Sequence, residues 1–339
     1  MENIIGFDAL YQSMEKCKNN VMWKDSVAHF VLNGVEEITK LEEQVKNGTY
    51  RVRKTKTFML TSPKRREAMG VAFRDRVLQR SLNDNAIYPS LSKHFIYDNC
   101  ACQKGKGTDF ARKRLHTFLH KFYLKHKIGG YVLQCDISGY YPNMQHFVVE
   151  KTFKKYLDPD VYDLAVKILR QQYEGDVGYF PGSQMIQLAG ISVLNEMDHF
   201  IKEKLHIKFY LRYMDDFILI HKDKAYLEEC KKQIQTYLES IKFQLHPKKT
   251  KIYPLSQGIK FLGFYHRLTD TGKILMQIDP KNVKMERRKL RRLVAKAKKG
   301  GIEKDKVDAC YDSWKAHAIK GNSHNLIRRM DKYYQDLWA

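Results

Sequence analysis

The chain has 339 residues, 43% of them hydrophobic and 29% charged, and 61 Lys and Arg against 38 Asp and Glu give a net charge of +23. That is the composition of a soluble globular protein long enough for two or three subdomains, and no apolar run reaches the roughly 18 residues of a membrane span. Met1–Phe7 lacks a secretion signal and the six cysteines are scattered, with Cys100 and Cys102 too close for a zinc knuckle, so free thiols in a reducing cytoplasm are expected.

In chain order, residues 8–48 carry apolar side chains at three- and four-residue spacing and predict helices. The β-branched alternation over 50–61 predicts a strand, Pro63 to Glu67 a basic turn, and 74–91 a helix. After a looped stretch through Gly107, Thr108 is placed to cap a helix over 109–125. Gly130–Asp136 predicts a strand, 146–173 a helix, Gly178–Gly182 a turn, and 184–204 a long helix. Residues 208–221 read as strand, acidic turn and strand, 224–242 as helix, and 259–266 as one short strand. From about Pro280 the chain is helical and basic. This order predicts an α+β core with helical flanks.

The excess positive charge is spread through a folded chain. It argues for a polyanionic partner, with a basic ribosome-associated or merely soluble protein as the alternative.

The stretch Phe209–His221 places two adjacent carboxylates, Asp215 and Asp216, between two apolar runs the length of short buried strands. Like charges at the edge of a core repel each other and lose hydration, a cost that a divalent cation removes. On their own they would equally suit a solvated turn. Asp136 closes another apolar strand, Tyr131–Cys135. If the two strands are neighbours, three carboxylates converge, and such hard oxygen donors suit Mg²⁺. Two ions about 4 Å apart can activate a 3′-hydroxyl and stabilise a leaving pyrophosphate.

Tyr213-Met214-Asp215-Asp216, with Asp136 upstream, resembles reverse transcriptases of the bacterial, group II intron-like kind. The resemblance extends to Arg74–Gln79 and Gln103–Thr108 in the fingers, and to Pro181–Gln184 through Leu194–Asp198 as the template-gripping turn and helix. It continues in Leu245–Thr250 after the catalytic hairpin and in Phe261–Phe264 as the primer grip. It implies a right-hand polymerase, with an N-terminal region and fingers over 1–125, a palm over 126–272 and a basic helical thumb over 273–339. The palm would comprise an antiparallel sheet with helices, and a fingers-proximal helical insertion over about 146–180.

The activity implied is RNA-directed DNA polymerisation, a nucleotidyl transfer using two Mg²⁺ ions, with Mn²⁺ as a substitute. Asp136, Asp215 and Asp216 would hold the metals, with the Ile137 carbonyl as a further ligand. Tyr141 falls where the family places an aromatic steric gate against a ribose 2′-hydroxyl. Lys64, Arg65 and Arg66 would clamp the triphosphate. Lys249, or alternatively Lys248, would stand near the pyrophosphate as a general acid. Either Gln184 or Gln187 would contact the nucleotide.

Residues 281–300 hold ten Lys or Arg and one Glu, while Val283, Leu290, Leu293, Val294 and Ala297 share a helical face. Arg287, Arg288, Arg291 and Arg292 there, and Arg74 in the fingers, are expected nucleic-acid contacts. The partners implied are an RNA template, a DNA or RNA primer and dNTPs, with no membrane. The compact form fits a diversity-generating retroelement, whose enzymes work with a small basic accessory protein and a structured non-coding RNA. An antiviral defence-associated enzyme is the alternative. An RNA-dependent RNA polymerase and a non-catalytic RNA-binding protein with a polymerase fold are the competing readings.

Overall fold

A computed structural model describes residues 1–61 and 65–339. The N-terminal helices, Glu2–Ile5, Phe7–Lys18, Asp25–Leu32 and Gly34–Lys46, follow the apolar spacing. They bury Leu10, Met14, Val27, Phe30, Ile38 and Leu41 in one core with Val77, Leu78 and Leu82 of helix Phe73–Leu82. The expected strand over 50–61 is shorter. β1, Lys56–Leu60, pairs antiparallel with β2, Arg66–Gly70. Arg66 and Glu67, expected in a turn, therefore stand in a strand, and Pro63 lies outside the described residues.

The central sheet has the order β4-β5-β3-β6. Its strands are β3 (Tyr131–Cys135), β4 (Phe209–Tyr213), β5 (Asp216–His221) and β6 (Lys251–Pro254). Alternate residues serve opposite faces. Val132, Phe209, Leu211, Ile218 and Ile220 pack on Leu115, Phe118 and Phe122 of helix Thr108–His126. Leu133, Cys135, Tyr210, Phe217 and Leu219 join the larger core with Leu227, Ile234 and Leu238 of helix Lys224–Ser240. Burial on both faces explains why these strands read as continuous apolar runs.

Other boundaries also differ from expectation. Thr108 is the first helical residue, and its hydroxyl accepts from Arg112 Nη2 at 3.3 Å rather than capping. Pro159 divides 146–173 into helices His146–Tyr156 and Pro159–Gln172, because a proline is accommodated in a first turn and not in an interior. The segment 184–204 becomes helix Gln184–Val193, helix Asn195–His199 and a π-helical turn Phe200–Lys204.

Residues 259–266 form two strands rather than one. β7 (Ile259–Phe261) and β8 (Phe264–Leu268) turn at Leu262-Gly263, both at positive φ (47° and 85°). β9 (Ile274–Ile278) completes an antiparallel sheet in the order β7-β8-β9. Helices Pro280–Lys298, Lys304–Ala318 and His324–Trp338 follow. Leu290 packs with Tyr311 and Met330, and Val294 is also buried, on the face the sequence predicts. The α+β class is as expected. Among the described residues no helix is long and apolar enough to cross a membrane.

Candidate active site

β3 and β5 are antiparallel neighbours with Cys135 opposite Phe217. One step further along each strand brings Asp136 to the end of the sheet where Asp216 begins β5. In the β4–β5 hairpin Tyr213 pairs with Asp216, leaving Met214 and Asp215 as its two-residue tip. Met214 adopts φ +57°, a left-handed conformation that costs a side-chain-bearing residue roughly 1–2 kcal/mol. Two neighbouring strand ends thus place the three carboxylates together.

Their electrostatics follow. Burial, with a contribution from the Asp136 charge, raises the Asp215 carboxyl above the usual range. Burial, then the charges of Asp215 and Asp136, pushes Asp216 up to about 7. Lys249 Nζ donates to Asp136 Oδ1 at 2.7 Å and to Oδ2 at 2.9 Å. It arrives there because the Asp136 carbonyl accepts from His246 N at 2.7 Å and Thr250 N bonds the His246 carbonyl, a turn that carries Lys249 back toward β3. Of the two candidate lysines, Lys249 is the one that reaches Asp136.

Among the described residues, no group of three or more His, Cys, Asp or Glu side chains forms a ready metal-binding cluster. Lys249 holds the Asp136 carboxylate instead. The donor set itself suits a hard cation: three carboxylates at a strand end, two of them raised by burial and mutual repulsion.

Tyr141 lies beside this site. Its hydroxyl is 3.1 Å from where a Cβ on Gly190 would stand, so glycine there makes room for the ring. Burial first, then Cys102 and Asp215, raises its phenol. Gln184 and Gln187, three residues apart on helix Gln184–Val193, are both exposed on the same side. Ser183 caps this helix by accepting from Met185 N, and its hydroxyl donates to Gln79 Oε1 at 2.7 Å. The preceding turn touches β2. Met69 N donates to the Pro181 carbonyl at 3.0 Å, and a Cβ on Gly182 would fall 2.1 Å from the Met69 carbonyl oxygen. Only glycine permits that approach. Arg65 and Arg66, at the start of β2, are exposed, and Lys64 lies outside the described residues.

The expected nucleic-acid contacts differ in exposure. Arg74 is 8% exposed, and its guanidinium bonds Asp75, Gln44 Oε1 at 2.9 Å and the Arg51 carbonyl at 2.5 Å. These bonds tie helix Phe73–Leu82 to Gln44 and to the main chain at Arg51. Arg287, Arg288, Arg291 and Arg292 are exposed. Arg287 also lies over the Tyr333 ring at 5.1 Å, whereas Arg288, Arg291 and Arg292 make no ion pair among the described residues.

Sequence reasoning passed over Arg212, which is wholly buried in β4. Its Nε donates to Asp198 Oδ1 at 2.7 Å and its Nη2 to Asp198 Oδ2 at 2.5 Å. Nη2 also reaches the Ile191 carbonyl at 2.9 Å, and Nη1 the Met214 carbonyl at 3.0 Å. The signal was present as one cation inside an otherwise apolar strand, which requires a buried partner.

A family model for reverse transcriptase (RNA-dependent DNA polymerase) matches residues 52–266. The match takes in all three carboxylates, Tyr141, Lys249 and Arg212. No curated protein matches the chain. Among solved structures, telomerase from Candida albicans in complex with the TWJ fragment of telomeric RNA superposes with a TM-score of 0.51 at 11% identity, covering 69% of this chain and 46% of that one. Apo telomerase from Candida tropicalis truncated of its C-terminal domain gives 0.48 at 14% identity, over 74% of this chain and 60% of that one. The apo enzyme of the same species gives 0.48 at 13%, over 67% and 49%. The chain thus spans less than two thirds of the length of these telomerase chains. At 11% identity the likeness to the first of these speaks to the fold alone.

Proposed function

The chain belongs to the reverse transcriptase family and has its α+β fold, and from that premise we propose that it is an RNA-directed DNA polymerase whose active centre is the Asp136–Asp215–Asp216 constellation. The observation that carries this reading is the meeting of the three carboxylates where β3 ends beside the β4–β5 tip, with Lys249 seated on Asp136.

In this reading Asp136, Asp215 and Asp216, with the Ile137 carbonyl, would hold Mg²⁺, or Mn²⁺ in its place. Divalent ions there would make a 3′-hydroxyl more acidic and neutralise charge on a leaving pyrophosphate. The primer 3′-hydroxyl would give up its proton to solvent as its oxygen attacks the α-phosphorus of a dNTP, a new P–O bond forming while the bond from the α-phosphorus to the oxygen bridging to the β-phosphate breaks. Lys249, released from Asp136, gives its proton to the departing pyrophosphate oxygen. Tyr141 closes the space a ribose 2′-hydroxyl would need. Lys64, Arg65 and Arg66 hold the triphosphate, Gln184 or Gln187 meets the nucleotide, and Arg287, Arg288, Arg291 and Arg292 follow the phosphate backbone of template and primer.

The finer assignment, to a bacterial diversity-generating retroelement with a small basic accessory protein and a structured RNA, rests on the segment resemblance alone. A neighbouring imperfect repeat with adenine-specific differences would support it, and a defence-island setting would oppose it.

The test is primer extension by the purified chain with Mg²⁺ on an RNA template, with dNTPs and NTPs supplied separately. DNA made from dNTPs supports the proposal. Extension with NTPs alone would mark an RNA polymerase, and no extension under any condition would mark a non-catalytic RNA-binding protein.

A further inference from the structure

Arg212 is the fourth of the five residues of β4, with apolar or aromatic neighbours along the strand, and no part of its side chain reaches solvent. Asp198 is equally buried, and Tyr210 Oη donates to the same carboxylate at 2.5 Å. A pair needed only for packing would be complete with the two-pronged contact to Asp198. A guanidinium has five N–H groups in one plane, and two that remain here are aimed at backbone carbonyls.

Both carbonyls belong to elements of the proposed centre. Met214, whose carbonyl accepts from Nη1, immediately precedes Asp215 and holds the left-handed φ of the hairpin tip. Ile191, whose carbonyl accepts from Nη2, belongs to the helix that carries Gln184, Gln187 and Gly190. The main chain of Arg212 is tied to a third element. Its N–H donates to the Asp98 carbonyl at 3.0 Å, and its own carbonyl accepts from Cys100 N at 2.8 Å. One residue therefore spans the catalytic tip, the helix beside Tyr141 and the 98–102 segment. Cys102 Sγ of that segment lies 3.7 Å from Met214 Sδ.

We propose that Arg212, oriented by Asp198, is a positioning residue that sets the conformation of the Met214-Asp215 tip and its distance from helix Gln184–Val193. It touches no substrate and acts through the Met214 and Ile191 carbonyls. The proposal rests on the reading of Asp215 as catalytic. If that reading fails, the wild-type chain itself makes no DNA, and the two failures are distinguishable.

Lysine keeps the charge and can pair with Asp198, but a single ammonium cannot also span two carbonyls in different directions. The experiment compares wild type with Arg212→Lys and Asp198→Asn in steady-state dNTP incorporation and thermal melting. Arg212→Lys is expected to lower kcat about a hundredfold while KM for dNTP changes by no more than about twofold, since a displaced carboxylate slows chemistry without removing a binding contact. Asp198→Asn keeps the shape but not the charge and is expected to lower kcat by a smaller factor in the same pattern. The proposal is overturned if folded Arg212→Lys keeps kcat within about twofold of wild type, or if KM rises while kcat holds. If Arg212→Lys does not fold, Asp198→Asn decides by the same split. Loss of the fold in both also overturns it, because the pair would then belong to the core alone.

Discussion

The ammonium of Lys249 lies 2.7 and 2.9 Å from the two carboxylate oxygens of Asp136. The pair joins the end of β3 to the turn after residue 245, and it seats a proton donor at the edge of the acidic cluster. Lys249 is about half exposed, so the pair adds little to stability, on the order of 0–1 kcal/mol.

Lys249→Ala is expected to lower kcat about a hundredfold, the lower range for a general acid, while the melting temperature scarcely moves. Melting curves beside single-turnover rates check both halves. A large stability loss with normal chemistry would assign Lys249 to the scaffold.

Asp216 ties stability to pH. Its carboxyl is raised to about 7 in the folded chain, against about 4 unfolded. The unfolded chain therefore loses this proton first, and stability is lost as pH rises from about 4 to about 7. In metal-free buffer, Asp216→Asn should match wild type near pH 4 and become progressively more stable than it by pH 7. Parallel melting curves across that range would refute the assignment.

The guanidinium groups at 74 and at 288, 291 and 292 should separate cleanly. Alanine at Arg288, Arg291 and Arg292 together should flatten the salt dependence of binding to an RNA–DNA duplex by about 0.7–0.9 per phosphate contact removed. Arg74→Ala should leave that slope alone and lower the melting temperature, because Asp75 is then left buried at 0% exposure without its cation. Fluorescence anisotropy against salt, with melting controls, reads both.

Tyr141→Ala should relax discrimination against NTPs by about 10- to 200-fold, the range that a steric pocket contact supplies. Gly190→Ala adds a methyl group within 3.1 Å of the Tyr141 hydroxyl and should reduce dNTP use without that relaxation. Competition between dNTP and NTP in one primer-extension assay measures both.

The acidic centre was legible because its neighbours are strands buried on both faces, which read as apolar runs bracketing charges. Lys249 was legible only as one of two lysines, since the turn that selects it is made by the Asp136 carbonyl across the sheet. Arg212 and Asp198 lie fourteen residues apart on different elements, where no helical or strand spacing links them. The partners of Arg74 were illegible for the same reason, Gln44 being thirty residues away. β6 and β9 were missed because neither alternates: β6 is exposed at both ends, and β9 is half-buried along most of its length.

The most direct test is single-turnover extension of a primer on an RNA template by wild type and by Asp215→Asn, with folding checked by melting. The account predicts DNA synthesis by wild type and a loss of about three orders of magnitude in the variant, with nucleic-acid binding retained. Equal rates from the two proteins would contradict it.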